Sequence, residues 1–493
     1  MPETAPTPKQ APAGEATPKV ESAPAGEQAP AQGEQPQDKT KKHGRKPAGE
    51  QPANGEQPAT GQQPATGEQP ATGGSATDGK AAPVQGENPV QGEAPADKNA
   101  APILDSQKDA RRKGRGENGR NPANQPANQN GEEQNGGQQN GGQNAQQGGD
   151  QGRKPVVAPV DQGPPPTDDR AAQEAIKTEK IVPVTQEKGK RLERAPDENI
   201  RDRRRPKGVD VLKEIGDRVI VQFNDQTFVQ SNDRPRLTRG AKDVYYEDLP
   251  QGRTRETVER DNGFRIVTIR NRYGDILQRS RIAPDGREYV LSYVDERSYQ
   301  DEEDWRDPGD DLPPMRLTIP RRDYILDSED VESPDDYYTF LEQPPVEKVQ
   351  RLYSINEVKR SARVRDIARR IDLDTLNFEF GSSSISDTEV QKLQGVADAM
   401  EKLLKKNPAE TFLIEGHTDA VGTPEANLAL SDRRAEAVAE ALTNAFGIPP
   451  ENLTTQGYGE EYLKVDTSAP NRENRRVAIR RITSLVAPVA SNN

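Results

Sequence analysis

Four hexads run in tandem near the N-terminus: GEQPAN from Gly49, GEQPAT from Gly55, GQQPAT from Gly61 and GEQPAT from Gly67. They contain no apolar residue larger than alanine or proline, so copies cannot stack a common core as solenoid repeats do. Looser echoes follow at Val84–Pro89 and Val90–Glu93, and Gly, Asn and Gln dominate from Gly116 to Gly152. Residues 1–204 are therefore expected to be a long disordered Pro/Gly/Gln-rich region with polyproline character. As a flexible coil this length spans roughly 80 Å and reads as a tether or spacer. The whole chain has 30% apolar and 4% aromatic residues with 43 Pro and 41 Gly, too polar for one 493-residue core.

Other class limits follow from charge and residue types. A net charge of −13 argues against nucleic acid as a partner of the whole chain. There is no cysteine, so disulfides, thiolate metal sites and cysteine nucleophiles are excluded. No stretch reaches the ~20 apolar residues of a transmembrane helix. The first residues, Met1-Pro2-Glu3-Thr4, lack an apolar signal core; if the chain is exported, its signal is expected upstream.

From 205 to 345 β-branched and aromatic residues return in short runs, such as Arg218–Phe223, Phe264–Ile269, Ile276–Ile282 and Glu288–Tyr293. Asp261-Asn262-Gly263, Tyr273-Gly274-Asp275 and Pro284-Asp285-Gly286 separate them, and this spacing predicts a β-rich antiparallel meander. Leu277, Arg279 and Arg281 would share one face, which a lipid-facing barrel cannot accept. A small soluble sheet with exposed edges is expected, and it is a candidate surface for a protein partner. The acidic run Asp295–Asp311 lacks the regular oxygen spacing of a calcium loop and reads as solvated surface.

Helix-period patterns concentrate at the C-terminus. Residues 346–370 read as a basic helical lead-in, Ile371–Phe380 and Thr411–Glu415 as strands. Ser386 and Glu389 predict a capping box for a helix carrying Val390, Leu393, Val396, Met400 and Leu403. Pro424 opens a longer helix that Gly447 stops, and Leu453–Gly457 and Val477–Ile482 supply further strands. This is an α/β sandwich of βαβαβ type over 371–485, with 486–493 as a tail.

Its chemistry gathers at one place. Asp419 directly follows the second strand, where ligand crevices of α/β sheets form. Arg434 lies on the next helix, and Asn427 sits two turns before it on the same face. A carboxylate and a guanidinium in one cleft suit a ligand bearing both an ammonium and a carboxylate. The same two side chains could instead pair with each other as a structural salt bridge, and spacing leaves both readings open. His417 has only His43 as a possible histidine partner in the chain, too few for zinc, and reads as a packed scaffold residue. No serine or cysteine nucleophile has a positioned base, so no catalytic residue, metal or cofactor is expected.

The string Gly416-His417-Thr418-Asp419 with Gly422, Asn427, Leu430-Ser431, Arg433-Arg434-Ala435 and Asn474-Arg475-Arg476-Val477 resembles the OmpA-like peptidoglycan-binding domain family; Phe378–Ser382 resembles that family's first strand. The resemblance covers about 371–485. It implies a non-enzymatic domain in the periplasm or at the outer membrane that holds the peptide stem of peptidoglycan at diaminopimelate. Asp419 and Arg434 would grip the amino and carboxyl ends, with Asn427, Thr418 and Ser382 alongside. Gly381 and Val421 stand where members often carry polar side chains.

Overall fold

The computed structural model describes residues 102–116, 163–176, 181–196, 200–223, 226–295, 306–379 and 381–489. The hexads, the coil expected over 1–101 and most of the acidic run at Asp295–Asp311 lie outside them.

The apolar triplet Phe412-Leu413-Ile414 decides the C-terminal layer. Alternate side chains of a strand point to opposite faces. Phe412 and Ile414 enter one buried cluster while Leu413 enters another. Its strand is β12 (Phe412–Gly416) of a five-stranded sheet in the order β10 (Ile325–Asp327), β11 (Arg370–Asp372), β14 (Val477–Arg481), β12, β13 (Leu453–Gly457). β12 runs parallel to β13 and antiparallel to β14. Helix Gln394–Lys406 contributes Val396, Met400 and Leu403 to the first face, and helix Pro424–Phe446 contributes Ala435, Val438 and Leu442. The second face is covered by Val358 and Val364 from helices Ile355–Arg360 and Ala362–Arg365, with Leu485 from the last short helix. The long helix is punctuated as its sequence predicts: Thr423 accepts from the Ala426 amide at 3.3 Å, Pro424 occupies the first turn, and Gly447 ends it at φ 72°.

Three local expectations change. The strand expected over 371–380 is only Arg370–Asp372, because the chain turns at Leu373–Leu376 and Phe378 is used elsewhere. The helix expected to run through Val390 and Leu393 is two, Asp387–Gln391 and Gln394–Lys406. Ser386 accepts from the Glu389 amide, but the Glu389 carboxylate accepts from the Asn377 amide instead of closing a capping box.

The region before this domain is antiparallel sheet, as its turns predict. Six strands follow the order β1 (Lys190–Leu192), β5 (Asp243–Leu249), β6 (Arg253–Glu259), β7 (Arg265–Arg270), β8 (Ile276–Ile282), β9 (Glu288–Tyr293); a separate three-stranded sheet holds β2 (Val209–Ile215), β3 (Arg218–Phe223) and β4 (Gln226–Gln230). The charged side chains that share a face with Leu277 are covered in the fold. Arg279 is 1% exposed and reaches Asp233 at 2.6 Å and the Thr268 hydroxyl at 3.2 Å. Arg281 lies over the Phe264 ring. The three-stranded sheet packs Ile220 and Val229 against Leu428 and Ala429 of the long helix. Arg218 reaches Asp432 at 2.8 Å, and Arg236 reaches Glu436 at 3.0 Å and the Pro450 carbonyl at 2.6 Å.

The coil expected up to residue 204 stops earlier wherever a few apolar or acidic residues find a complement. Leu104 is buried with Met315, Tyr324, Ile325 and Val346, and opens helix Asp105–Gly116. Asp169 pairs with Arg481, Val184 enters the core of the six-stranded sheet, and the Ala172 carbonyl accepts from the Val349 amide at 2.8 Å. No helix among the described residues is long and apolar enough to cross a membrane.

Candidate functional site

The site lies where β12 and β13 end against the long helix. Two glycines make that crossing. A Cβ on Gly416 would sit 1.9 Å from the Ser431 carbonyl oxygen, and one on Gly457 would sit 2.3 Å from the Asp432 amide nitrogen. The first glycine of the Gly416–Asp419 string is thus required by close backbone approach. Asp432 secures the junction from the helix side: it is fully buried, accepts from the Gly457 amide at 3.0 Å and pairs with Arg218.

Beyond the strand end, Thr418 and Asp419 turn inward and are 2% and 3% exposed. The Thr418 amide donates to the Gly459 carbonyl at 2.9 Å, while its hydroxyl is buried without a partner. Asp419 Oδ2 accepts from Arg475 Nη1 at 2.7 Å and from the Asn471 amide at 3.3 Å. Its Oδ1 has one long contact, 3.4 Å from the Val421 amide. Asn427 donates to Glu460 at 2.6 Å and to the Asp419 carbonyl at 3.4 Å.

Arg434 is 1% exposed and rests over the Phe378 ring, 4.9 Å from its centroid. Nε donates to the Ser382 carbonyl at 2.9 Å and Nη2 to the Glu379 carbonyl at 3.4 Å; Nη1 is buried and has no partner. Asp419 and Arg434 do not pair, so the simple salt bridge that spacing allowed is absent. Ser382 acts here through its carbonyl, and its hydroxyl accepts from the Ser384 amide at 3.0 Å. Gly381 and Gly422 are exposed at the rim, both at positive φ.

The arginine census sets Arg434 apart. Among the described residues eleven arginines are buried. Ten of them, Arg218, Arg236, Arg255, Arg270, Arg279, Arg363, Arg365, Arg370, Arg476 and Arg480, have a carboxylate oxygen within 3.6 Å. Arg434 has none. Burial, and after it the nearby Arg475 charge, pull the Arg434 guanidinium down to about 10, partly offset by Asp419 acting through space. It remains fully charged at neutral pH.

His417 is scaffold. It is 1% exposed, stacks on Tyr458 at 5.7 Å between ring centroids, and lies 3.9 Å from Glu415, too far for a hydrogen bond. Burial and the Arg476 charge push its pKa down to about 3, so it is neutral at any physiological pH. Asn474 is also internal, its side-chain oxygen accepting from the Lys464 and Val465 amides. Arg475, met in the sequence only within the Asn474–Val477 string, is the partner of Asp419. Glu460 and Phe378 are further additions. No spacing rule connects them to Asn427 or Arg434, since the contacts are made across loops.

The chain's relatives converge on this region. Residues 377–476 match the profile of the OmpA family. The outer membrane porin F of Pseudomonas aeruginosa is 36% identical over 110 residues, 22% of this chain and 30% of the porin, so the chain spans less than a third of that relative. The peptidoglycan-associated lipoprotein of Pasteurella multocida is 37% identical over 117 residues, 23% of this chain and 73% of the lipoprotein. That of Haemophilus influenzae is 38% identical over 117 residues, 23% of this chain and 72% of its own length. With most of two such lipoproteins matched at more than 30% identity, and the family profile spanning Asp419 and Arg434, the chain belongs to the OmpA family.

Proposed function

We propose that the chain binds peptidoglycan without turnover and anchors or spaces a component of the bacterial envelope outside the cytoplasm. The observation that carries this reading is the missing counter-charge of Arg434. A buried guanidinium normally has a carboxylate beside it, since an unpaired buried charge is costly. A ligand carboxylate at Nη1 would supply the partner. Asp419 then receives the ligand's ammonium at Oδ1, the oxygen with the weaker existing contact. A diaminopimelate unit of a peptide stem offers both groups on one carbon. Asp419 and Arg434 are both buried, so contacts made to them act in a low dielectric. The names of the lipoprotein relatives support the same polymer as ligand.

The test is co-sedimentation of the full chain with isolated sacculi. Wild type is expected in the pellet; Arg434→Met and Asp419→Asn are expected in the supernatant with unchanged circular dichroism. Equal sedimentation of all three would overturn the assignment.

A further inference from the structure

Helix Asp105–Gly116 comes from a stretch whose composition predicts coil, yet its first turn is anchored in the interior. Asp105 is fully buried. Its carboxylate lies 3.1 Å from Arg480, 3.5 Å from Arg370 and 3.9 Å from Arg365. In return, the amides of Asp105 and Ser106 donate to the Asp366 carboxylate at 3.0 and 2.9 Å. Three buried guanidiniums that otherwise share Glu415 and Asp372 receive a further carboxylate from this helix.

The same helical face continues to the site. Asp105, Asp109 and Arg112 recur at i, i+4 and i+7. The Tyr462 hydroxyl donates to Asp109 at 3.3 Å; Arg112 pairs with Asp109, donates to the Glu461 carbonyl at 3.2 Å and sits over the Tyr462 ring at 5.2 Å. Tyr462 meets Tyr458 edge to face at 5.3 Å. Between these two tyrosines, the Gly459 carbonyl holds the Thr418 amide and Glu460 holds Asn427. Helix, tyrosine pair and site therefore form one continuous set of contacts.

We propose that helix Asp105–Gly116 is a positioning element of the binding site: it braces the Tyr458–Tyr462 loop, which in turn fixes Thr418 and Asn427 for the ligand. The inference rests on reading that site as a peptidoglycan clamp. Linkage makes it reciprocal, because a brace that strengthens ligand binding is itself strengthened by the ligand to the same degree.

The experiment uses the full chain, a soluble diaminopimelate-containing muropeptide, calorimetry and amide hydrogen exchange. Arg112→Ala, at a half-exposed side chain, is expected to weaken the muropeptide by about fivefold or more, the lower range of coupling between sites, with little change in the urea midpoint. Arg112→Lys, which keeps the charge, is expected to restore part of that loss. Saturating muropeptide is expected to slow exchange of the amides of 105–116 in the wild type. Wild-type affinity in Arg112→Ala, or exchange of 105–116 indifferent to muropeptide, would overturn the brace alone. Failure of the wild type to bind the muropeptide would remove the clamp reading and the brace with it.

Discussion

Replacing Arg434 with methionine separates a ligand-gripping arginine from a structural one. Burial pulls the guanidinium down to about 10, well below its ordinary value, and at ~1.4 kcal/mol per tenfold the charged form is penalised by about 3 kcal/mol. Against this stand two charged hydrogen bonds to carbonyls, one good at 2.9 Å and one marginal at 3.4 Å; at ~1.5–3 kcal/mol for the good one and less for the other, they return about the same amount. Methionine fills similar space and keeps a sulfur–aromatic contact with Phe378 worth ~0.3–1.5 kcal/mol. The net change in stability should be within about 1 kcal/mol, while sacculus binding is lost. Arg480→Met is the internal control. Arg480 holds Glu415 at 3.0 Å and Asp105 at 3.1 Å; Arg365 and Arg370 stay near those carboxylates, but losing this partner from the buried network should cost about 3–5 kcal/mol. Urea unfolding followed by far-ultraviolet circular dichroism measures both. If Arg434→Met is as destabilising as Arg480→Met, Arg434 is a structural cation and the reasoning fails.

Other perturbations follow from the same contacts. Gly416→Ala drives a Cβ into the Ser431 carbonyl and should cost at least about 3 kcal/mol, the upper end for overpacking, seen as a collapsed urea midpoint or insoluble protein. Asp432→Ala leaves Arg218 and the Gly457 amide without their shared partner and should cost about 3–5 kcal/mol in the same measurement. Burial pushes Glu461 up to about 7, with Arg112 opposing and Asp109 reinforcing. The folded state thus keeps a proton that the unfolded chain releases near 4.5, so this group's contribution is full below that pH and lost as pH rises through 7. The urea midpoint of Glu461→Gln should therefore fall less than that of the wild type between pH 5 and pH 8. In competition for the site, an N-acetylated, C-amidated stem peptide with diaminopimelate at its third position should displace sacculi better than the same peptide with lysine there, whose side chain ends in an amine without a carboxylate; the reverse order would contradict the role given to Arg434.

Local signals made most of the C-terminal sandwich readable. Phe412–Ile414 is an apolar run, Thr423, Pro424 and Gly447 mark both ends of one helix, and the Gly263, Gly274 and Gly286 turns set the hairpins of the six-stranded sheet. What stayed hidden depends on partners far apart in sequence. Asp105 and Arg480 are separated by 375 residues, and nothing in the polar stretch around Asp105 except Ile103-Leu104 announces burial. The polar run Gln278-Arg279-Ser280-Arg281 does not announce burial of Arg279; Asp233, from a loop 46 residues away, makes its burial tolerable. At the site, helical spacing placed Asp419, Asn427 and Arg434 together but could not say which pairs close. That outcome depends on Arg475 and on the carbonyls of Glu379 and Ser382.

The two halves of the clamp are therefore unequal. Asp419 already holds a cation at 2.7 Å, so a ligand ammonium exchanges or shares a partner and gains only the difference. Arg434 holds only carbonyl dipoles, so a ligand carboxylate gains the whole of a buried ion pair against a guanidinium whose dehydration has already occurred. Arg475 sharpens this asymmetry: it neutralises Asp419 and repels Arg434, leaving the trio with one net positive charge before any ligand arrives. On the proposed function, a site biased in this way would select first for a carboxylate and then use the amine to fix its orientation. That order of preference would favour stem residues with a free acid at the side-chain terminus over those ending in an amine alone, and the choice would fall to Arg434, the buried arginine with no carboxylate beside it among the described residues.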